Sequence, residues 1–241
     1  MLDLNKHKFF IVQILKDIYA DIELANNLGF KGGTALMLFY DLPRFSVDID
    51  FNLLDLSKSN LIYEKLRKIL LKYGRIKKDE AKKHFGLIIV LDYGENERNL
   101  KVEIFNRQFD DKYEMKDFLG IKMKVMNQSD MFAHKLCALL DRNMLANRDI
   151  FDCWYFMQNR TPVNKKIVGF RTKTNLISYF NKCIKAIEKK KENNLLNGLG
   201  ELMDENMKYF VRKKLKSEVI ALLKIYKEFP IIEKERINFE D

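Results

Sequence analysis

The sequence predicts an α+β protein, a small mixed sheet with flanking helices over residues 1–125 followed by a helical bundle over residues 126–241. Three observations carry this prediction. The segment SVDIDFNLL alternates apolar and polar residues with a period of two. Two β-rich runs, Phe85–Tyr93 and Asn99–Phe105, flank the turn GENER. From about Asn127 onward, apolar residues recur at helical spacing to the end of the chain.

Taken in order, the first element is a helix, because Phe10, Ile14, Ile18 and Ile22 recur every four residues, with Asn26, Asn27 and Gly29 as its stop. KGGTALMLFYD then reads as a glycine turn running into a short helix that ends before Pro43. In the next segment the period changes to two, so Val47, Ile49, Phe51 and Leu53 share one strand face and Asp48, Asp50 and Asn52 the other. Residues 58–73 return to helical spacing through Ile62, Leu66, Ile69 and Tyr73, with Gly74 placed as a C-cap. A further strand is expected around Arg75–Lys78, and the two β-rich runs form a hairpin. Beyond them, Phe132, Leu136, Leu139 and Leu140 mark a helix capped by Ser129, and a second starts near Arg148 and runs through Trp154 towards Pro162. Later helices are expected over Lys173–Glu192 and Met207–Phe229, joined by KKKENNLLNGLG.

Composition removes several classes of function. At 47% hydrophobic and 12% aromatic, with three prolines, the chain is neither collagen-like nor wholly disordered. No uncharged apolar run approaches the roughly 18 residues of a membrane span, and Phe9–Leu15 lacks the flanks of a signal peptide. Cys137, Cys153 and Cys183 are too scattered for a disulfide framework, and His7, His84 and His134 for a zinc site, so a reducing cytosol is the expected setting, with no membrane partner. The charge is uneven. Residues 160–241 hold 19 Lys and Arg against 11 Asp and Glu, a net of +8, whereas residues 1–159 hold 25 against 23, a net of +2. The asymmetry points either to a polyanionic partner or to a solvated Lys-rich helical surface.

The chemistry is concentrated in one constellation. Asp48 and Asp50, at i and i+2 on a strand, stand about 6–7 Å apart on one face and can share a divalent cation. Mg²⁺ is typically bound by one or two carboxylates together with substrate phosphates, and a second metal completes the arrangement used in phosphoryl transfer. Glu103, in LKVEIF on a neighbouring strand, is the candidate third carboxylate, able to orient or deprotonate an attacking hydroxyl. Gly32, Gly33 and Thr34 open a helix whose backbone N–H groups can cradle a triphosphate. Each feature alone is common; their order and spacing together are far more specific.

These residues resemble a known family. GGTALMLFYDLPRFSVDIDF is similar to the signature of the AbiEii/AbiGii-type toxin nucleotidyltransferases, a branch of the DNA polymerase β-like superfamily. The superfamily pattern is a glycine followed by Gly or Ser, a spacer, then Asp-x-Asp/Glu between apolar residues. Taking Gly33-Thr34 as the pair leaves thirteen residues before Asp48, and taking Gly32-Gly33 leaves fourteen, slightly long for the superfamily. The run through Arg44 and Ser46 to Asp48-Ile49-Asp50 is also close to this branch, which places Arg44 and Ser46 at the nucleotide. A second block, HKLCALLDRNMLANRDIFDCWYF, resembles the family's later motif. It maps the motif lysine to Lys135, the arginine to Arg142 or Arg148, and the acids to Asp149 and Asp152, which lie at i and i+3 on one helix face, with Asp149 counted among the catalytic residues and Asp152 as the alternative functional acid. Lys135 can place an ammonium on a nucleotide phosphate. Its position beside the row Phe132–Leu136–Leu139 predicts that its removal leaves the fold intact.

The resemblance covers roughly residues 28–157. It implies a polymerase β-like nucleotidyltransferase domain, with the first helices of the bundle lining the active-site cleft. It also implies Mg²⁺ or Mn²⁺ at Asp48 and Asp50, transfer of a nucleoside monophosphate from an NTP with release of pyrophosphate, the 3′ end of tRNA as acceptor, and a neighbouring antitoxin. The alternatives are transfer to a small molecule or a protein side chain, and a nucleotide- or RNA-binding module without catalysis.

Overall fold

The computed structural model describes residues 3–82, 86–94, 98–141 and 144–232, so His84, Arg142 and residues 95–97 of the GENER turn lie outside the described residues. The chain divides into two compact units, Met1–Asn127 and Gln128–Asp241. The first is α+β and the second helical.

In the first unit, the Asp3 carboxylate caps α1 (Leu4–Ala20) by accepting from the backbone N–H groups of Asn5 and Lys6, both at 3.0 Å. Ile14 and Ile18 face inward as the spacing requires, joined by His7, Ile11 and Leu15. Ile22 does not continue the row and is 77% exposed. Asp21 explains the departure, because its carboxylate accepts from Glu23 and Leu24 N–H at 3.0 and 3.1 Å and starts a separate helix, α2 (Ile22–Asn27). Gly29, expected as a helix stop, lies instead within a strand, β1 (Leu28–Lys31). A Cβ there would come within 2.6 Å of Tyr113 Cζ, so the glycine lets the Tyr113 ring lie directly on the strand.

Helix α3 (Gly32–Phe39) ends before Pro43, and β2 (Asp48–Leu53) follows. Ile49, Phe51 and Leu53 of β2 are fully buried on one face, while Asp48 and Asp50 are half-buried on the other. Asn52 shares the acidic face yet is almost wholly buried, with Nδ2 donating to Asp111 Oδ2 at 2.8 Å and Tyr113 Oη at 2.7 Å. Helix α4 (Ser59–Leu70) turns Ile62, Leu66, Ile69 and Leu70 inward. Gly74 is not its C-cap, since Leu71 closes the helix in a right-handed conformation. A Cβ at Gly74 would instead collide with the Asp92 backbone carbonyl.

Strand β4 (Gly86–Asp92) pairs antiparallel with both β3 (Arg75–Lys82) and β5 (Leu100–Phe105), as the hairpin reading required of β4 and β5. A second hairpin, β6 (Tyr113–Phe118) and β7 (Ile121–Met126), was not foreseen. It turns on Leu119 at φ 53° and Gly120 at φ 78°. Two successive left-handed residues make the turn that matches strand twist. Among the described residues the sheet has seven strands in the order β3-β4-β5-β2-β1-β7-β6, with β2–β5 and β1–β7 parallel. The acid-bearing strand is therefore central.

The second unit comprises α5 (Gln128–Asp141), α6 (Asn147–Gln158), α7 (Lys165–Thr172), α8 (Leu176–Glu188), α9 (Glu205–Lys213) and α10 (Leu215–Glu228). Ser129 is not the cap of α5 but a buried residue of its first turn. Helix α7 was not foreseen. It ends at Lys173 in a left-handed conformation, and Asn175 caps α8, so the helix expected over Lys173–Glu192 is shorter at both ends. The helix expected over Met207–Phe229 is two, parted at Lys214. Helix α10 packs on α6 and α8, and α5 on α6 and α7. Phe132 and Phe156 stack at 5.1 Å between centroids, and Tyr226 donates its hydroxyl to the Thr161 carbonyl at 3.0 Å. Among the described residues, no helix is long and apolar enough to cross a membrane.

Candidate active site

Strand register assembles the acidic face. Asp48 is paired with Lys101 on β5, and Asp50 sits between Lys31 on β1 and Glu103 on β5. Directly paired residues point to the same side of a sheet. Asp48, Asp50 and Glu103 therefore share one face, with Lys31 and Lys101 among them. The Lys101 ammonium lies 2.7 Å from Glu103 Oε1 and 3.3 Å from Asp48 Oδ2. Burial of Lys101 works against its charge, but Asp48, the Glu103 hydrogen bond and Asp50 outweigh it, so its pKa is raised.

The glycines and the polar residues ahead of β2 meet at the start of α3. Gly32 has φ +80°, and a Cβ there would run into the Asp50 carboxylate. A Cβ on Gly33 would lie 2.6 Å from Ser46 Oγ and 3.0 Å from Arg44 Nη2. Arg44 and Ser46 are both buried, and Arg44 Nη1 donates to the Phe45 carbonyl at 2.9 Å. Thr34 is fully buried, and its hydroxyl donates to the Asp48 carbonyl. Lys31, which precedes the helix, gives it no side-chain cap. The first turn of α3 thus reaches the acidic strand through backbone and glycine. Gly32→Ala is expected to cost at least about 1 kcal/mol, because a left-handed residue without glycine is strained. It should also displace Asp50, so the urea midpoint and the transfer rate should fall together; an unchanged rate would separate Gly32 from the site.

Two contributors escaped the sequence reading. Lys101 could have been found from its i, i+2 spacing to Glu103 on the same strand. His7, fully buried on α1, places Nε2 2.9 Å from the Val47 carbonyl and Nδ1 2.5 Å from Tyr93 Oη. A carbonyl only accepts, so Nε2 carries the proton and Nδ1 faces the tyrosine hydroxyl. His7 thereby holds the backbone immediately before Asp48, and no local signal connects residues 40 positions apart.

In the helical unit, the Lys135 ammonium lies 3.1 Å from Asp149 Oδ1 and 2.8 Å from Asp152 Oδ2, with both carboxylates almost wholly buried. The second sequence block is thus brought together as a buried ion cluster joining α5 to α6. Lys135 does not merely lie beside the apolar row, and its removal is expected to lower stability as well as nucleotide affinity. Arg148 is half-buried in the first turn of α6. All three cysteines are buried, which holds the Cys153 and Cys183 thiols well above their ordinary range and pushes Cys137 up to about 12. They are poor nucleophiles and poor metal ligands in that state.

Among the described residues, no three His, Cys, Asp or Glu side chains form a ready-made metal cage. The donor set on the acidic face still suits a hard divalent cation. Asp48 and Glu103 already draw in one ammonium, and Mg²⁺ needs only one or two carboxylates when phosphates supply the rest.

A mixed sheet carrying two acids on a central strand, entered through a Gly-Gly helix start, defines the nucleotidyltransferase fold. A candidate nucleotidyltransferase from Helicobacter pylori superposes with a TM-score of 0.62 at 20% identity, covering 93% of this chain and 95% of that one. JHP933 from the same organism gives 0.61 at 19% identity, over 95% of each chain. At these identities the likeness is one of fold. No curated protein is significantly similar in sequence. The sequence profile described as "Nucleotidyl transferase AbiEii toxin, Type IV TA system" matches residues 13–216, and the chain belongs to that family of nucleotidyltransferase toxins.

Proposed function

We propose that this nucleotidyltransferase moves a nucleoside monophosphate from an NTP to the 3′ end of a tRNA, with Mg²⁺ or Mn²⁺ held by Asp48 and Asp50. The observation that carries the reading is the convergence of Asp48, Asp50 and Glu103 on one face, with Asp50 against Gly32 at the start of α3. The first-turn N–H groups of α3 bind the triphosphate, where the helix dipole favours negative charge. Arg44 and Ser46, packed on Gly33, fix the approach of that turn. A divalent cation, when bound, lowers the charge repulsion between the acceptor hydroxyl and the phosphates. Glu103 orients the acceptor hydroxyl and takes its proton. The hydroxyl oxygen bonds to the α-phosphorus, the bond to the bridging α–β oxygen breaks, and pyrophosphate leaves. In the helical unit, Lys135 meets a nucleotide phosphate, Arg148 supports it, and Asp149 with Asp152 sets the direction of the ammonium. An antitoxin opposes the activity in the cytosol, as membership of a type IV toxin–antitoxin family suggests.

The RNA acceptor is supported by the charge of residues 160–241 and by α9. Arg212 and Lys213 end that helix and Lys214 follows it, all three exposed, and Tyr209, one helical turn before Arg212 and Lys213, is 61% exposed. A basic face with an aromatic platform suits single-stranded RNA. The Lys189-Lys190-Lys191 cluster offers less, since Lys190 Nζ is committed to the Leu145 carbonyl at 2.8 Å. Incubation with each labelled NTP, Mg²⁺ and total tRNA is expected to place label on RNA. Charge reversal at Arg212, Lys213 and Lys214 should raise the RNA KM and flatten the salt dependence, which runs at about −0.7 per phosphate contact for single strands. NTP affinity should stay nearly constant. Label on protein or a small molecule, or RNA binding indifferent to salt and to these substitutions, would move the acceptor away from RNA.

A further inference from the structure

We propose that Lys101 is a built-in counter-ion of the acidic face, its ammonium holding the charge position that a divalent cation takes when nucleotide is loaded. The inference rests on the reading of Asp48 and Asp50 as metal ligands. Lys101 is placed by the fold itself, paired across the parallel ladder with Asp48 and two residues ahead of Glu103 on β5. Its side chain is 35% exposed, whereas those of Asp48 and Glu103 are 21% and 12% exposed, so the lysine is the most open of the three. Three carboxylates on adjacent central strands repel one another when no cation is near. The ammonium bridging Asp48 and Glu103 offsets that repulsion in the protein without ligand.

The same contact makes Lys101 a competitor. A divalent cation at Asp48 must meet the carboxylate that Lys101 already touches. A lysine ammonium is a point charge on a flexible stem, able to swing away without a rigid bidentate geometry to break. Bare cation therefore binds weakly, and the cation that arrives with NTP phosphates, carrying ligands of its own, displaces the ammonium more readily. Once displaced, Lys101 remains within a side chain's length of the acidic face, where incoming phosphate charge can receive it.

Mn²⁺ binding to the full chain without nucleotide, followed by the loss of the free-ion paramagnetic resonance signal, tests this. Lys101→Met is expected to bind Mn²⁺ roughly fivefold more tightly than wild type, the size suited to a partly screened ion pair. Lys101→Arg, which keeps the charge, should stay within about twofold of wild type on the same scale. Asp48→Asn should weaken binding in both the wild-type and Lys101→Met backgrounds. If Asp48→Asn weakens binding while Lys101→Met leaves it unchanged or weaker, the counter-ion role is wrong and the metal site stands. If Asp48→Asn and Asp50→Asn leave Mn²⁺ binding untouched, the metal reading itself fails. Should Lys101→Met not fold, amine labelling of wild type decides. Saturating Mn²⁺ is expected to raise the labelling of Lys101 several-fold relative to the other lysines, and unchanged labelling would overturn the proposal.

Discussion

Asp48→Asn and Asp50→Asn are each expected to reduce nucleotidyl transfer by roughly a thousandfold or more while leaving a folded protein. Supporting residues one shell removed from a metal already cost about 10- to 100-fold when changed, and a direct ligand should cost more. The two variants should differ in stability, which makes the pair informative. Asp48 meets Lys101 at 3.3 Å in a half-open pair, so its loss should shift stability by no more than about 1 kcal/mol. Asp50 lies against Gly32, and an amide of equal size fills the same space. Circular dichroism, urea midpoints and transfer rates with Mg²⁺ read this directly. Wild-type rates in both variants would remove the acidic strand from catalysis.

The elements that carry those acids were readable because their surroundings are one-sided. Strand β2 buries Ile49 and Phe51 and opens Asp48 and Asp50, and α4 shows an equally clear inward stripe of Ile62, Leu66 and Ile69. Strand β1 has no such pattern. Three of its four residues are buried, so nothing alternates. The β6–β7 hairpin failed for the opposite reason. Strand β6, an edge strand, buries none of its residues, and its turn is signalled only by Leu119-Gly120. Helix breaks at Asp21 and Lys214 were hidden because neither residue is a strong breaker, and the periodicity on each side of them is helical.

The site divides along the same line. Glycines, acids and Glu103 could be read from spacing because each has a local constraint that produces it. Lys101 needed the register between β2 and β5, without which it is an ordinary polar residue on an alternating strand. His7 needed the packing of α1 against the residue before Asp48. Asp149 and Asp152 were correctly placed on one face of α6, but their partner comes from another helix. The ammonium they share is that of Lys135, on α5. Sequence periodicity gives the face of a helix and is silent about which neighbour supplies its counter-charge.

That last point sets the second large effect. Lys135→Ala is expected to lower folding stability by about 3 kcal/mol, the usual cost of removing one member of a buried charge cluster. The lysine side chain is only 20% exposed, and the carboxylates of Asp149 and Asp152, at 4% and 0% exposure, would lose the ammonium they share. Solvent can screen the lysine in part but reaches Asp152 hardly at all, so the penalty comes mainly from the acids left behind. A second change separates this from lost packing: adding Asp152→Asn to Lys135→Ala should recover about 1 kcal/mol or more by removing one stranded charge. A lost apolar contact would show no such recovery. Nucleotide affinity should fall in Lys135→Ala by one to two decades, as for a charge-assisted phosphate contact worth roughly 1.5–3 kcal/mol. It should remain low in the double variant even as the urea midpoint rises. If affinity returned together with stability, Lys135 would be a structural strut between α5 and α6, and the phosphate contact would have to be sought elsewhere.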